Sequence, residues 1–273
     1  WLQRVPHVHT YHTHYMEYTH YMPFPRSFST RAVVWIARHF CGRCQSVIVP
    51  SQGMRTVLQD HGVEAPVYPI PTGIDPAARG YARSLAELFG KYHLGAVERV
   101  EGKRLLVSVG RLGREKNIRF LIEAVAHIAA EHDVHFLMIG GGPDRPGIER
   151  EIQRLNLSDR ITLVGYVDHE DVFSFLENSE LFIFASLTET QGLVLLESMS
   201  VGTPVVALKG IGVSDLLENN TGGLLSPVSL TTFTANVMRM LSDRTLLEAK
   251  RREALDRARD WSEDNQIIKI IRI

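Results

Sequence analysis

From Lys103 onward the sequence repeats one unit: a short apolar run, a glycine turn, then residues at helical spacing. Arg104–Val109 (RLLVSV) ends at Gly110, and Ile118–Ala130 then sets Ile118, Leu121, Ile122, Val125 and Ile128 on one helical face. Val134–Ile139 ends at Gly140-Gly141-Gly142-Pro143 and leads to a helix at Ile148–Leu155, and Ile161–Val164 ends at Gly165. A helix at Val172–Asn178, a strand at Leu181–Ala185, a helix at Leu193–Ser200 and a strand at Pro204–Leu208 continue the alternation. Strands that are apolar throughout are covered on both faces, as parallel strands with helical crossovers are. Residues 103–255 therefore predict a doubly wound α/β domain.

Residues 1–72 read as the second half of a similar domain. Val5–Thr10, Ser46–Val49 and Val67–Ile70 are strand-like, with a helix expected over Ser29–Phe40. Residues 73–100 look irregular and polar, a candidate linker. A charged amphipathic helix follows Leu246, and Ile267–Ile273 trails it. The first residue is Trp1, with no signal-peptide pattern, and Trp1–Thr10 reads as the run into a strand already under way. The expectation is a fragment of a longer protein.

Composition narrows the class. At 273 residues, about two domains fit. Lys and Arg number 30 against 31 Asp and Glu, and 44% of residues are hydrophobic, which argues against disorder and against a nucleic-acid binder. No run of about 18 apolar residues is present to span a bilayer as a helix. Cys41 and Cys44 are too few for a disulfide scaffold, so a reducing cytoplasm is the expected setting. The charge is uneven, however. Residues 1–60 carry six arginines, no lysine and only Glu17 and Asp60. Such asymmetry suits a surface that meets anionic partners, lipid headgroups among them.

In open parallel sheets, ligands bind beyond the carboxyl ends of the strands, where helix N-termini offer unpaired N–H groups. Three junctions of this kind stand out. In Gly110-Arg111-Leu112-Gly113-Arg114-Glu115-Lys116-Asn117, Arg111 leaves the strand and Lys116 meets the next helix, a pair of cations suited to a diphosphate. The alternative is a solvated basic loop. Gly140–Pro143 reads as a tight turn. In Ser186-Leu187-Thr188-Glu189-Thr190-Gln191-Gly192-Leu193-Val194-Leu195-Leu196-Glu197, two carboxylates bracket a helix start that Gly192 leaves open, enough to grip sugar hydroxyls with phosphate at the amides between.

GRLGREKN, the GGGP turn and SLTETQGLVLLESMSVGTPVVAL together resemble the donor domain of retaining glycosyltransferases of the GT-B fold, whose Glu-x7-Glu pair is matched by Glu189 and Glu197. The resemblance implies a complete C-terminal Rossmann-type donor domain over 86–255. It also implies a partial N-terminal acceptor domain over 1–85 and a C-terminal helix at 256–273 packing back on the latter. Arg111 and Lys116 would hold the donor diphosphate, Glu189 the transferred sugar and Glu197 the ribose. Gly110, the Gly165-Tyr166-Val167 loop and the amides of Gln191, Gly192, Leu193 and Val194 would complete donor binding. No metal or other cofactor is implied.

His9-Thr10-Tyr11-His12-Thr13-His14-Tyr15, Pro50-Ser51, Pro71-Thr72-Gly73-Ile74-Asp75 and the FCxRC segment are similar to bacterial diacylglycerol glucosyltransferases. That subgroup implies a UDP-sugar donor, a lipid acceptor such as diacylglycerol, peripheral contact with an anionic cytoplasmic membrane face, no nucleic acid, and His12 beside the reacting sugar as a catalytic residue. A soluble or glycan acceptor, a sugar-nucleotide epimerase and an inactive remnant are the rival readings. As a fragment, the chain alone is expected to bind nucleotide poorly and to transfer little. His7, His9, His12, His14 and His20 raise zinc as an alternative, and Cys41-x2-Cys44 a redox pair, though buried structural thiols suit the latter better. Arg26–Arg43 interleaves aromatics with arginines and fits either a core helix or a lipid contact.

Overall fold

The computed structural model describes residues 5–16, 24–75 and 81–272; Trp1, His20 and Ile273 lie outside them, as does 76–80 of the candidate linker. The first part is a three-stranded parallel sheet of β1 (Val8–Thr10), β2 (Ser46–Val49) and β3 (Val67–Pro69), in that order. The helices α1 (Arg26–Cys41) and α2 (Gln52–Asp60) make the crossovers. Ser51 caps α2 by accepting from the Met54 amide.

The second part is a six-stranded parallel sheet. In chain order its elements are α3 (Leu85–Lys91), β4 (Arg104–Val109), α4 (Ile118–Ala129), β5 (Val134–Ile139), α5 (Arg145–Arg154), β6 (Ile161–Gly165), α6 (His169–Glu177) and β7 (Leu181–Phe184). Then come α7 (Leu193–Ser200), β8 (Val205–Leu208), α8 (Val213–Leu216), β9 (Gly223–Ser226), α9 (Leu230–Ser242), α10 (Arg244–Asp260) and α11 (Glu263–Ile271). The strand order is β6-β5-β4-β7-β8-β9, a doubly wound arrangement that reverses direction between β4 and β7.

The apolar runs divide as a strand's two-residue period requires. Leu106, Phe136, Met138, Leu181, Ile183 and Val206 join the core under α4 and α9. Their neighbours Leu105, Val107, Leu137, Phe182, Phe184 and Val205 join the core under α6, α7 and α10. The small sheet has its own core, where Tyr11, Ala37, Cys41, Val47, Val49, Met54 and Leu58 meet.

One expectation needs correction. Residues 81–100 are not an irregular linker: Ser84 and Glu87 form a reciprocal capping box at α3, and Leu88, Phe89 and Val100 are buried in the second core. The polar residues that disguised this segment are its anchors. Asp171, whose side chain is fully buried in α6, receives Arg83, Lys91 (2.6 Å) and the Tyr92 hydroxyl (2.5 Å). The C-terminal end is helical as expected, in two pieces: α10 stops at Asp260 and α11 runs over Glu263–Ile271. The start of α11 is tied to the 73–74 segment, with Ile74 N–H donating to the Trp261 carbonyl (3.1 Å) and Glu263 N–H to the Ile74 carbonyl (3.0 Å).

Candidate active site

The reversal between β4 and β7 opens a crevice at the carboxyl ends of both strands, and the loops following them line it. After β4, Gly110 turns the chain and a single tight helical turn, Arg114–Lys116, delivers Lys116. Asn117 starts α4 in the left-handed region (φ 52°), a conformation asparagine tolerates, and its side-chain amide donates to the Ala185 carbonyl at the end of β7 (3.4 Å). Ser186 donates to the Glu115 carbonyl (3.2 Å). The two loops are thereby fixed to one another across the switch point.

After β7, Gly192 adopts φ 82°, where a side chain would be strained, and directs the start of α7 toward the crevice. No side chain caps that helix, so its first amides face the opening. Glu189 precedes the turn, and its carbonyl accepts from Gly212 N–H (2.8 Å) while its carboxylate pairs with Lys116. Both partners are about one-fifth exposed, and the Lys116 ammonium lies 6.0 Å from the centre of the Phe184 ring. Glu197, on α7, accepts from or pairs with His169 Nε2 at 3.1 Å, according to the ring's protonation.

The crevice, about 560 Å³, is lined by His12, Thr72, Gly110, Lys116, His169, Val172, Glu189, Thr190, Gln191, Gly192, Leu193, Val194 and Glu197. It thus brings together nine of the sequence-derived candidates. The other three lie elsewhere. Arg111 is exposed and lines an adjoining depression shared with Gly110 and Lys116. Tyr166 is 81% exposed with its ring over Gly141, and Val167 packs against the second core. The GGGP turn is tight for internal reasons. A Cβ on Gly140 would collide with the Gly110 carbonyl, and Gly140 itself has φ 121°. Gly140→Ala is expected to cost about 2 kcal/mol of stability, read as a lowered Tm in a thermal melt.

His169 and Thr72 were not visible as site residues in the sequence. His169 is one histidine at a helix start; only the fold sets it beside Glu197. Thr72 enters through Gln191, whose buried side-chain amide accepts from Thr72 N–H (2.9 Å) and donates to the Thr72 carbonyl (2.6 Å). Thr190 donates to the His12 carbonyl (2.7 Å). Asp215 on α8 accepts from Gln52 N–H at the start of α2, and burial followed by the nearby Glu218 charge keeps its carboxyl above the usual range. These contacts set the small sheet against the crevice and bring His12 to its rim.

Among the described residues no three His, Cys, Asp or Glu side chains are grouped to hold a metal ion. Cys41 is buried, and burial pushes its thiol up to about 11; Cys44 is partly buried and also raised by burial. Neither thiol has the lowered pKa of a reactive pair.

Residues 94–261 match the family model described as glycosyl transferases group 1, and residues 1–78 match that of glycosyltransferase family 4. The chain is 31% identical over 233 residues to the alpha-monoglucosyldiacylglycerol synthase of Streptococcus pneumoniae, covering 82% of this chain and 52% of that protein. It is 35% identical over 165 residues to the alpha-D-kanosaminyltransferase of Streptomyces kanamyceticus, covering 60% of this chain and 41% of that protein. It therefore spans about half the length of the relatives it matches. In structure it is similar to Anabaena HepE in complex with UDP and glucose, with a TM-score of 0.80 at 22% identity over 98% of this chain and 71% of that one. That likeness bears on the fold.

Proposed function

The chain belongs to the group 1 glycosyl transferases, and from that premise we propose that it forms the donor side of a retaining hexosyltransferase that uses UDP-glucose. The observation that carries this reading is the convergence of Lys116, Glu189, the open start of α7 and Glu197 on one crevice. A nucleotide diphosphate is an anion that needs a cation and backbone N–H donors, and Lys116 and the first amides of α7 supply both. Glu189 would receive the hexose hydroxyls and Glu197 the ribose hydroxyls. Arg111, five positions before Lys116 in the same loop, is the second cation for the leaving diphosphate.

Charge developing on the departing phosphate is met by groups already in place, the arrangement that lowers a barrier without reorganisation. The acceptor attacks from the side of the small sheet, where His12 stands and can orient a sugar hydroxyl. No side chain is assigned as a covalent nucleophile. The acceptor we favour is diacylglycerol, supported by the likeness to the pneumococcal synthase and by the basic, aromatic first part of the chain. On this reading the enzyme would work at the cytoplasmic membrane face. Among the described residues, no helix is long and apolar enough to cross a membrane.

Lys116, Glu189, Glu197 and the start of α7 meet in this chain, which supports donor binding, so nucleotide affinity and transfer are to be measured separately. Calorimetric titration with a panel of nucleotide sugars should give UDP-glucose as the tightest ligand. Incubation with diacylglycerol and with soluble polyols or glycans, followed by NMR of the product, should give an α-glucosyl lipid. An epimerised sugar nucleotide formed without acceptor, or a soluble glycoside, would overturn the corresponding part of the reading.

A further inference from the structure

Helix α1 packs on the small sheet by a narrow stripe, Ser29, Val33, Ala37 and Cys41, spaced four residues apart. At about 100° per residue, the row Phe28, Arg31, Trp35 and Arg38 lies nearly opposite that stripe. All four are exposed, Phe28 at 61% and Trp35 at 64%. Phe24, just before the helix, is 60% exposed and meets Phe28 edge-on, with ring centres 5.9 Å apart. The helix therefore presents its largest aromatic side chains where a surface helix ordinarily presents charge.

We infer that this outward row of α1 is the surface by which the protein lies on an anionic lipid bilayer. The inference rests on the lipid-acceptor reading and adds the face that meets the lipid. Two arguments favour a bilayer over another element of the same molecule. In a layered α/β domain, neighbouring helices touch a helix on its flanks, and Phe40, in the sheet-facing sector of α1, packs on His9 of β1 with ring centres 4.8 Å apart. The row opposite the sheet is out of reach of such neighbours. Charge complementarity is the second argument. Between Glu17 and Asp60 the chain has five arginines and no acidic residue. Among the described residues Arg38 pairs with Glu64 at 3.9 Å, with both side chains well exposed.

Chemistry along the row suits the boundary between headgroups and acyl chains. Trp and Phe sit there with their rings in the apolar zone, and arginines reach phosphates. At the C-terminal end of α1, Trp35 stacks on His39 (4.9 Å between ring centres, 11° between planes). Both line an open cleft of about 370 Å³ with Arg38, Gly42 and Arg43. A lipid phosphodiester would enter this cleft. The same face would hold the crevice close to a membrane-borne acceptor.

The test is co-sedimentation of the chain with vesicles, with no donor or acceptor sugar present. Vesicles of phosphatidylcholine alone are compared with equal parts phosphatidylglycerol and phosphatidylcholine. Binding is expected to the anionic vesicles and not to the neutral ones, and to weaken with salt. Phe28→Ala/Trp35→Ala and Arg31→Glu/Arg38→Glu should each lower the partition coefficient about ten-fold or more. These positions are exposed, so circular dichroism and Tm should not move. Equal partitioning of either double variant, or no binding by the parent chain, would overturn the inference. So would RNA binding as tight as vesicle binding and indifferent to Trp35, the mark of a generic basic patch. Loss of this surface with transfer to diacylglycerol intact would leave the acceptor reading standing. Vesicle binding without such transfer would do the reverse.

Discussion

Lys116→Met is expected to reduce kcat/KM by two to three orders of magnitude, about 3–4 kcal/mol of transition-state stabilisation. Lys116 lies at the switch point of the sheet, paired with Glu189 and backed by Phe184. Its ammonium is therefore preorganised where a diphosphate would depart, and water cannot reproduce that placement. Methionine keeps the stem against Phe184 and removes only the charge, so the melting curve should change little while transfer collapses. Glu189→Gln separates the two partners' roles. It should leave UDP binding nearly intact and lower turnover, because a sugar contact is lost and not a phosphate contact. If Lys116→Met retained parental kcat/KM with UDP-glucose, the diphosphate would have to be held elsewhere. Steady-state kinetics on the two variants, with UDP binding measured separately, decides this.

Asp171→Ala should produce the largest loss of stability, about 3 kcal/mol or more. The side chain is fully buried and holds Arg83, Lys91 and Tyr92, so its removal leaves two cations and a hydroxyl without their shared acceptor. The segment from Arg83 to Tyr92 should then come off α6, exposing Leu88 and Phe89. Burial alone pushes the Asp171 carboxyl up; hydrogen bonds from Lys91 and Tyr92, with the Lys91 and Arg83 charges, more than reverse this and leave it below the usual range. Asp168 is lowered too, first by its hydrogen bond from Lys91 (2.7 Å) and then by that residue's charge. The sign follows from folded-state values below the unfolded ones. The contribution is complete above the ordinary aspartate value of about 3.9 and is lost as pH falls through the lower folded values. Urea melts from neutral pH downward should show the parent chain losing this contribution only in strong acid. The alanine variant should be weaker throughout the neutral range and flatter in acid. A variant as stable as its parent at pH 7 would show that the buried cluster contributes nothing net.

The second sheet was readable from sequence because burial on both faces leaves runs of Val, Leu, Ile and Phe bounded by glycine. Gly110, Gly140 and Gly165 end β4, β5 and β6 or follow them directly, and the three glycines take positive φ. The placement of Lys116 and Glu189 across one crevice followed from the rule that ligands gather at carboxyl strand ends. Other features left no local trace. Asp171 and Arg83 are 88 residues apart, and each alone reads as an ordinary surface charge. Gln191 and Thr72 are 119 apart, and a glutamine that bonds a backbone amide and carbonyl looks like any loop glutamine. Arg111 is the other case: it stays exposed and lines a depression beside the crevice that it shares with Gly110 and Lys116, a placement that adjacency in sequence did not specify. Exposure of Phe28 and Trp35 was equally hidden, since their spacing is helical on either face.

The most direct test of the donor crevice is a crystal structure of this chain with UDP-glucose. The expected complex has hexose hydroxyls on Glu189, the diphosphate on Lys116 and the first amides of α7, and ribose hydroxyls on Glu197 beside His169. A nucleotide seated away from the β4 and β7 ends, with Glu189 and Glu197 both out of reach, would contradict it.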